Sequence, residues 1–390
     1  MIYDFQKLKD AILFNTIEVL PSGDALDNEI TNLINLANSS NEVIKHYIGF
    51  EISGQIHIGT GISTALKVKK LQDAGVKCSI YLADYHTYLN NKLDGKMETI
   101  RKVSKEYFAP VMKECLRVCG CNIEDIDFIF AEDLYKSGKN NQTFWDFELG
   151  ISKHLTLNRV LKSVSITGKD SGDGVEFATL RYPVMQVADI FFMQAHIVHA
   201  GIDQRKCHVI AREVSESLSD EFALKVADQK IKPIAIHHAL LHGLSKPEKK
   251  ADGKLVSAKM SKSKPDSAIW VHDSEEEIIR KLKASYCPII ESNNTEEQNQ
   301  ELIDNNPILN WIKNAIFISN LSIDLKDREG LLIKSYTQYP ELLEDFKNGQ
   351  IHPLDLKMAT ARTLIKWFEP IREFIAKNPE GYELVKSSRK

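Results

Sequence analysis

Hydrophobic residues recur along this chain with two periods, and their order predicts an α/β fold. After a helical-looking N-terminal stretch, Lys45-His46-Tyr47-Ile48-Gly49-Phe50 reads as a buried strand that the Ser53-Gly54 pair ends. Ile58, Ile62 and Leu66 then fall at i, i+4 and i+8, the stripe of a helix, with Gly75 placed for a left-handed cap. The apolar run Ile80-Tyr81-Leu82-Ala83 supplies the next strand. Further short strands are expected at Phe128-Ile129-Phe130 and Pro233-Ile234-Ala235-Ile236, with helical segments between them. Strands alternating with helices predict a parallel, doubly wound, Rossmann-like sheet whose ligands bind at the carboxyl ends of its strands.

Between Ser245 and Asp266 the periodicity disappears and Lys, Gly, Ser and Pro crowd together, which marks a loop long enough to be functional. From about Ser274 the pattern is helical, with polar breaks at Asp304-Asn305-Asn306-Pro307 and near Gly330. The last clear helix begins at Pro353 and carries Leu356, Thr360, Leu364 and Phe368 in one stripe, before Pro370 is expected to interrupt it. The chain therefore divides into a nucleotide-type fold at 1–244, a loop and connection at 245–273, and a separate α-helical C-terminal domain at 274–390.

Composition narrows the class. With 390 residues, two packed domains are the natural expectation, and 43% apolar with 27% charged residues describes an ordinary folded chain. A net charge of -4 gives no global reason to expect nucleic acid, so any RNA contact must use local patches. The N-terminus resembles no targeting sequence and no apolar run is long enough for a membrane span, so the expected address is the cytoplasm. Of the six cysteines only Cys115, Cys119 and Cys121 cluster, and no second Cys or His pair lies nearby to complete a zinc site.

Three segments carry candidate chemistry. Gly54-Gln55-Ile56-His57-Ile58-Gly59 runs from a strand into a helix, where unpaired N–H groups and the helix dipole would receive an anion and His57 would add a donor. The same glycines also fit a plain tight turn, and they fail the dinucleotide fingerprint because Thr64 stands where its third glycine should. Lys259-Met260-Ser261-Lys262-Ser263 places two ammonium groups three residues apart with hydroxyls between them, a set that can follow charge as it moves onto leaving pyrophosphate. A solvated basic loop is the plain alternative. The segment Tyr182 to Met193 is apolar nearly all round and so reads as a buried helix with Pro183 in its first turn, yet Tyr182, Gln186 and Asp189 share one face. A buried carboxylate needs a partner, either an internal network or a ligand carrying an amine and a hydroxyl. Downstream, Gly201-Ile202-Asp203-Gln204-Arg205-Lys206 looks like a loop entering a helix with Asp203 as N-cap.

Together these segments resemble a family. His57-Ile58-Gly59-Thr60 and Lys259 to Ser263 are similar to the two signatures of class I aminoacyl-tRNA synthetases. Tyr47 to Glu51, the Tyr182-Gln186-Asp189 helix and Gly201 to Lys206 resemble the tyrosyl branch in its archaeal and eukaryal form. Leu82-Ala83-Asp84-Tyr85-His86, Ala284 to Pro288 and His352 to Lys357 extend the resemblance over most of the chain. It implies a tyrosine–tRNA ligase that forms tyrosyl-adenylate from L-tyrosine and ATP, then charges tRNA(Tyr). Tyr47 and Asp189 would bind the phenolic hydroxyl, and Tyr182, Gln186 and Gln204 the amino end. Gly49, Glu51, His57, Gly59, Lys259, Met260, Ser261, Lys262 and Ser263 would hold ATP, with His57, Lys259 and Lys262 catalytic. Mg²⁺ would travel with the nucleotide, without a tightly bound metal. The loop would be mobile, the helical domain would read the anticodon through Asp355, and the protein would be a homodimer.

Three departures stand out. Thr60 occupies the usual place of a second histidine; Asp327-Arg328-Glu329-Gly330 lacks the aromatic residue that stacks on the anticodon; and Ile290 to Asn306 matches poorly and reads as an exposed loop or insertion. The rivals are a tryptophanyl enzyme, which normally carries another acidic residue after Asp-Gln where Arg205 stands here, a catalytically silent paralogue, and a small-molecule nucleotidylyltransferase.

Overall fold

The computed structural model describes residues 2–139, 141–168, 175–250, 253–260, 264–291 and 293–388. Its centre is one sheet of six strands: β1 (Thr16–Leu20), β2 (Lys45–Phe50), β3 (Lys77–Leu82), β4 (Ile126–Phe130), β5 (Ile197–Gly201) and β6 (Ile234–His238). They lie in the order β1-β6-β5-β2-β3-β4. Every pair is parallel except β1 with β6, so the sheet is mixed where the sequence predicts an all-parallel one. The helical-looking N-terminus splits accordingly into the helix Phe5–Leu13, β1 and the helix Asp24–Ser40, punctuated by Asn15 and Gly23 at positive φ. β2, β5 and β6 sit inside the sheet and are buried on both faces, which accounts for their near-continuous apolar runs.

The helix after β2 starts with a π-helical turn, Gly59–Ser63, and continues as Thr64–Asp73, and Gly75 follows at φ 84°. The buried helix spans Phe177–Phe192 and so begins before Pro183, which lies inside it and not in its first turn. Pro183 has no N–H to donate, a cost the surrounding apolar packing absorbs. The same holds for Pro370, which does not interrupt the helix Pro353–Lys377. That helix buries Leu356, Thr360, Leu364 and Phe368 completely.

The C-terminal region is helical apart from a hairpin, Ile323–Lys326 with Leu332–Tyr336, whose turn is fixed by Asp327 Oδ1 accepting from the N–H groups of Glu329 and Leu331. The stretch expected as an exposed loop contains the helix Glu296–Asp304, started by a capping box in which Thr295 and Gln298 satisfy each other's backbone N–H. Pro353–Lys377 packs on the helices Glu275–Ala284 and Ala109–Val118, and one apolar core runs from the N-terminal helix through one face of the sheet into this region. Among the described residues no helix is long and apolar enough to cross a membrane.

Candidate active site

A cavity of about 590 Å³ opens at the carboxyl ends of the strands. Tyr47, Tyr182, Gln186, Asp189 and Gln204 line one part of it. Gly49, Glu51, His57, Gly59, Lys259 and Met260 line it as well. Ser261, Lys262 and Ser263 lie outside the described residues. Asp355 is exposed in the first turn of Pro353–Lys377 and is not part of the lining.

The deep end is built around Asp189, whose carboxylate is 1% exposed. Its Oδ1 accepts from Tyr135 Oη at 2.8 Å and lies 3.0 Å from Tyr81 Oη, and the two phenols are 2.9 Å apart. Oδ2 faces His86 Nε2 at 3.7 Å. Burial pushes the carboxyl well above its usual range, and the two phenol donors pull the other way. Tyr47, on β2, is buried next to this group, edge-on to Tyr81 at 6.1 Å. An added Cβ at Gly49 would stand 3.1 Å from the Tyr81 ring, so any side chain at this strand position would press on the Tyr81 and Tyr47 rings.

Tyr182 stacks edge-on against His86 at 4.7 Å, and burial together with the nearby Glu51 carboxylate pushes its phenol well above the usual range. Glu51, expected on the nucleotide, is thus placed beside the amino-end residues, where it accepts from Asn90 Nδ2 at 2.8 Å. Among the described residues Gln186 Oε1 is buried without a hydrogen-bond partner. Such an acceptor fits an ammonium donor. Gln204 is steadied by donating to the Ile166 carbonyl at 3.1 Å. Asp203 caps nothing: it sits in a 3₁₀ turn, Ile202–Gln204, and the helix Arg205–Val214 starts after it without a side-chain cap.

At the other end the strand-to-helix turn does not leave its N–H groups free, contrary to the expectation from sequence. His57 Nδ1 accepts from the N–H groups of Gly59 at 3.1 Å and Thr60 at 3.3 Å, so the imidazole itself caps the turn. The ring proton is then on Nε2, which lies 3.1 Å from Thr60 Oγ1. The threonine that departs from the signature is therefore His57's partner. A Cβ at Gly59 would come within 3.1 Å of the same ring.

The loop bearing Lys259 is pinned from below. His242 and Lys259 form an antiparallel bridge, and Gly243 N–H donates to Ala258 O at 2.6 Å. A Cβ at Gly243 would lie 2.8 Å from the Lys259 carbonyl oxygen. From the side, Glu301 accepts from Leu255 N–H at 2.8 Å, and Asn305 Oδ1 accepts from Ser257 Oγ at 2.8 Å. The segment that matches the resemblance worst thus braces the loop.

Tyr81, Tyr135 and His86 carry no signal in the sequence that marks them as functional. Tyr81 and His86 fall in segments read only as strand and motif, and a lone tyrosine after β4 carries no periodic signal at all.

Comparison with known proteins adds the following. The sequence profile of the family described as "tRNA synthetases class I (W and Y)" matches residues 39–369. Two curated relatives named "Tyrosine--tRNA ligase" are similar over 354 residues, 88% of this chain and 90% of theirs: 43% identical in Thermococcus sibiricus and 42% in Pyrococcus furiosus. The crystal structure of tyrosyl-tRNA synthetase complexed with L-tyrosine from Pyrococcus horikoshii superimposes with a TM-score of 0.84 at 38% identity, covering 98% of this chain and 100% of that one.

Proposed function

This chain belongs to the class I tRNA synthetases of the tryptophan and tyrosine group, and on that premise we propose that it is a tyrosine–tRNA ligase. It activates L-tyrosine with ATP to tyrosyl-adenylate and pyrophosphate, then transfers tyrosine to the 3′ end of tRNA(Tyr). The observation that carries the choice of amino acid is the buried carboxylate of Asp189 beside Tyr47, in one cavity with His57 and Lys259. A site that completes the pairing of such a group with a substrate hydroxyl leaves it one donor short when phenylalanine enters, and an indole has no hydroxyl to offer.

In this reading Tyr47 and Asp189 hold the phenolic hydroxyl, and Tyr182, Gln186 and Gln204 hold the ammonium, Gln186 through its unpartnered oxygen. Glu51 adds a negative charge near the same group, beside Tyr182. The tyrosine carboxylate then attacks the α-phosphorus in line, a P–O bond forms, and pyrophosphate leaves with the bonding pair. His57 Nε2–H, Gly49, Gly59, Met260, Ser261 and Ser263 position the nucleotide, while Lys259 and Lys262 stabilise charge on the leaving group. The terminal adenosine hydroxyl of tRNA attacks the adenylate carbonyl and releases AMP. Among the described residues no cluster of three His, Cys, Asp or Glu side chains forms a protein cage for a metal. Mg²⁺ is assigned to the phosphates of ATP, the setting in which that ion keeps most of its waters.

The deciding experiment is ATP–pyrophosphate exchange with a panel of amino acids. Exchange that depends on tyrosine is expected; equal response to phenylalanine or tryptophan, or none to any amino acid, rejects the assignment. Lys262→Ala should slow activation roughly ten- to a hundredfold, the equivalent of a charge-assisted contact of about 1.5–3 kcal/mol, with tyrosine affinity little changed. Pre-steady-state measurement of adenylate formation would check this, and an equal loss of tyrosine binding would contradict the role.

Residues 1–244 are assigned to catalysis, 245–273 to the loop and connection and 274–390 to anticodon binding, with Asp355 contacting the anticodon, in a cytoplasmic protein. A homodimer is part of the same reading. A groove between the helices Phe144–Ser152, Leu157–Ser163 and Phe177–Phe192 supports it, with Leu157 63% and Phe177 79% exposed at its rim. Leu157→Glu places an acid in the first turn of its helix, where it suits the dipole, so the fold should persist. Sedimentation should show at least tenfold weaker dimerisation; a wild type that sediments as a monomer would refute the dimer.

A further inference from the structure

Three histidines cross one face of the sheet on neighbouring strands, His46 on β2, His199 on β5 and His238 on β6. In the strand register His46 pairs with Ile197, His199 with Ile236, and His238 with Gly201, so each ring stands two residues nearer the carboxyl ends than the one before. Nitrogens meet along this diagonal: His46 Nε2 to His199 Nδ1 at 3.3 Å, and His199 Nε2 to His238 Nδ1 at 2.8 Å. The rings are 5.4 and 4.9 Å apart. His46 is buried in the core, whereas His199 and His238 line the cavity. With Nδ1 taken by His199, Nε2 is the nitrogen that His238 has left for a ligand.

The rings are neutral near pH 7, because burial and the Lys67 ammonium push His46 down to about 3 and His238 to about 4, and lower His199 as well. Each therefore has one N–H and one lone pair, and the chain can run in two directions. Running inward, it would end on a His46 Nδ1–H that has no acceptor among the described residues. Running outward, it leaves there only a lone pair, and a buried orphan acceptor is less costly than a buried orphan donor. The outward direction makes His238 Nε2 a donor. Because side chains alternate along β2, His46 and Tyr47 point to opposite faces, so the chain does not approach the hydroxyl end of the amino acid. A neutral donor also complements an uncharged ribose oxygen or ring nitrogen, while the lysines of the loop match the phosphates.

We propose that the His46–His199–His238 chain fixes His238 as a hydrogen-bond donor to the adenosine half of ATP. His238 is the binding residue, and His46 and His199 are positioning residues that set its tautomer. The inference rests on the nucleotide reading given above.

Two measurements on the full-length protein test it. In protein labelled with ¹⁵N-histidine, the ring shifts of His238 should report the proton on Nε2, and a proton on Nδ1 overturns the proposal. His238→Phe should raise the KM for ATP in pyrophosphate exchange and its calorimetric Kd about five- to tenfold, leaving the KM for tyrosine unchanged. Unchanged ATP affinity, or equal losses for both substrates, also overturns it. His46→Phe keeps the bulk but removes the donor to His199, and should convert the His238 signal to a mixture of tautomers with a two- to fivefold loss of ATP affinity. Should that variant fail to fold, the wild-type spectrum and His238→Phe still decide. A wild type without tyrosine-dependent exchange would refute the assigned function, while tautomer and calorimetric ATP affinity would be read independently of it.

Discussion

Asp189→Ala is expected to lower the preference for tyrosine over phenylalanine, as the ratio of their kcat/KM values, by roughly a hundredfold or more. Two effects act in the same direction. Tyrosine loses a charge-assisted acceptor, worth about 1.5–3 kcal/mol. Phenylalanine no longer leaves the buried carboxyl short of the donor that the substrate hydroxyl adds to Tyr81 and Tyr135, a penalty of at most similar size. Sites that hydrogen-bond a substrate hydroxyl reject the analogue lacking it by roughly 10⁴–10⁵, and tyrosyl synthetases are themselves the standard instance of that range. The fold should survive, because Tyr81 and Tyr135 still hydrogen-bond each other across 2.9 Å when the carboxyl is gone. Tyr135→Phe, which removes one donor but keeps the acid, should shift the ratio less, by about tenfold. Exchange kinetics with both amino acids measure this, and an unaltered ratio in Asp189→Ala would remove Asp189 from the recognition of the hydroxyl.

The second large effect is on stability. Lys67→Met should cost about 2–4 kcal/mol and lower the Tm by roughly 5–10 °C. Lys67 is 1% exposed, and no carboxylate is among the hydrogen-bond partners described for its ammonium. Instead the ammonium reaches the carbonyl oxygens of Ala11, Ile12 and Phe14 at 2.9, 2.7 and 2.6 Å and Thr16 Oγ1 at 2.8 Å. Ala11 and Ile12 lie in the last turn of Phe5–Leu13, whose carbonyls have no partner within the helix. Lys67 thus ties that helix and the start of β1 to the helix after the active-site turn. Methionine fills the space of the stem but removes the donor to the buried Ala11 carbonyl and one of two donors to the Ile12 and Phe14 carbonyls, which Thr16 Oγ1 also reaches, each lost bond costing about 1–3 kcal/mol at most before relaxation. Thermal unfolding followed by circular dichroism checks the magnitude, and hydrogen exchange should show protection lost first in residues 5–20. A Tm within 2 °C of wild type would mean that water replaces the ammonium at no cost.

The interior strand β5 was missed, whereas the interior strands β2, β3 and β6 were legible because burial on both faces gives a run of apolar residues that no helix period explains. β1 was not, since an edge strand buries only part of itself: Ile17 is 56% exposed, and nothing local says that Thr16–Leu20 pairs antiparallel with β6. β5 hides a histidine at its centre, and His199 is tolerated there only because His46 and His238 supply its hydrogen bonds. The prolines misled in the same way, because Pro183 and Pro370 end a helix only when packing does not make up the lost bond. Thr295 and Gln298, by contrast, carried a readable capping box in a stretch that composition alone labelled a loop.

The sequence by itself determined the fold class and which segments could bear the chemistry, because strand and helix periods and the spacing within Tyr182, Gln186 and Asp189 are properties of the local backbone. It could not determine what surrounds Asp189, what caps the turn at His57, or that three histidines touch. Those contacts join residues up to 153 positions apart along the chain, His46 and His199, and a hydrogen bond acts over about 3 Å whatever the separation in sequence. Only the folded sheet, by fixing the register of its strands, brings such groups within that distance.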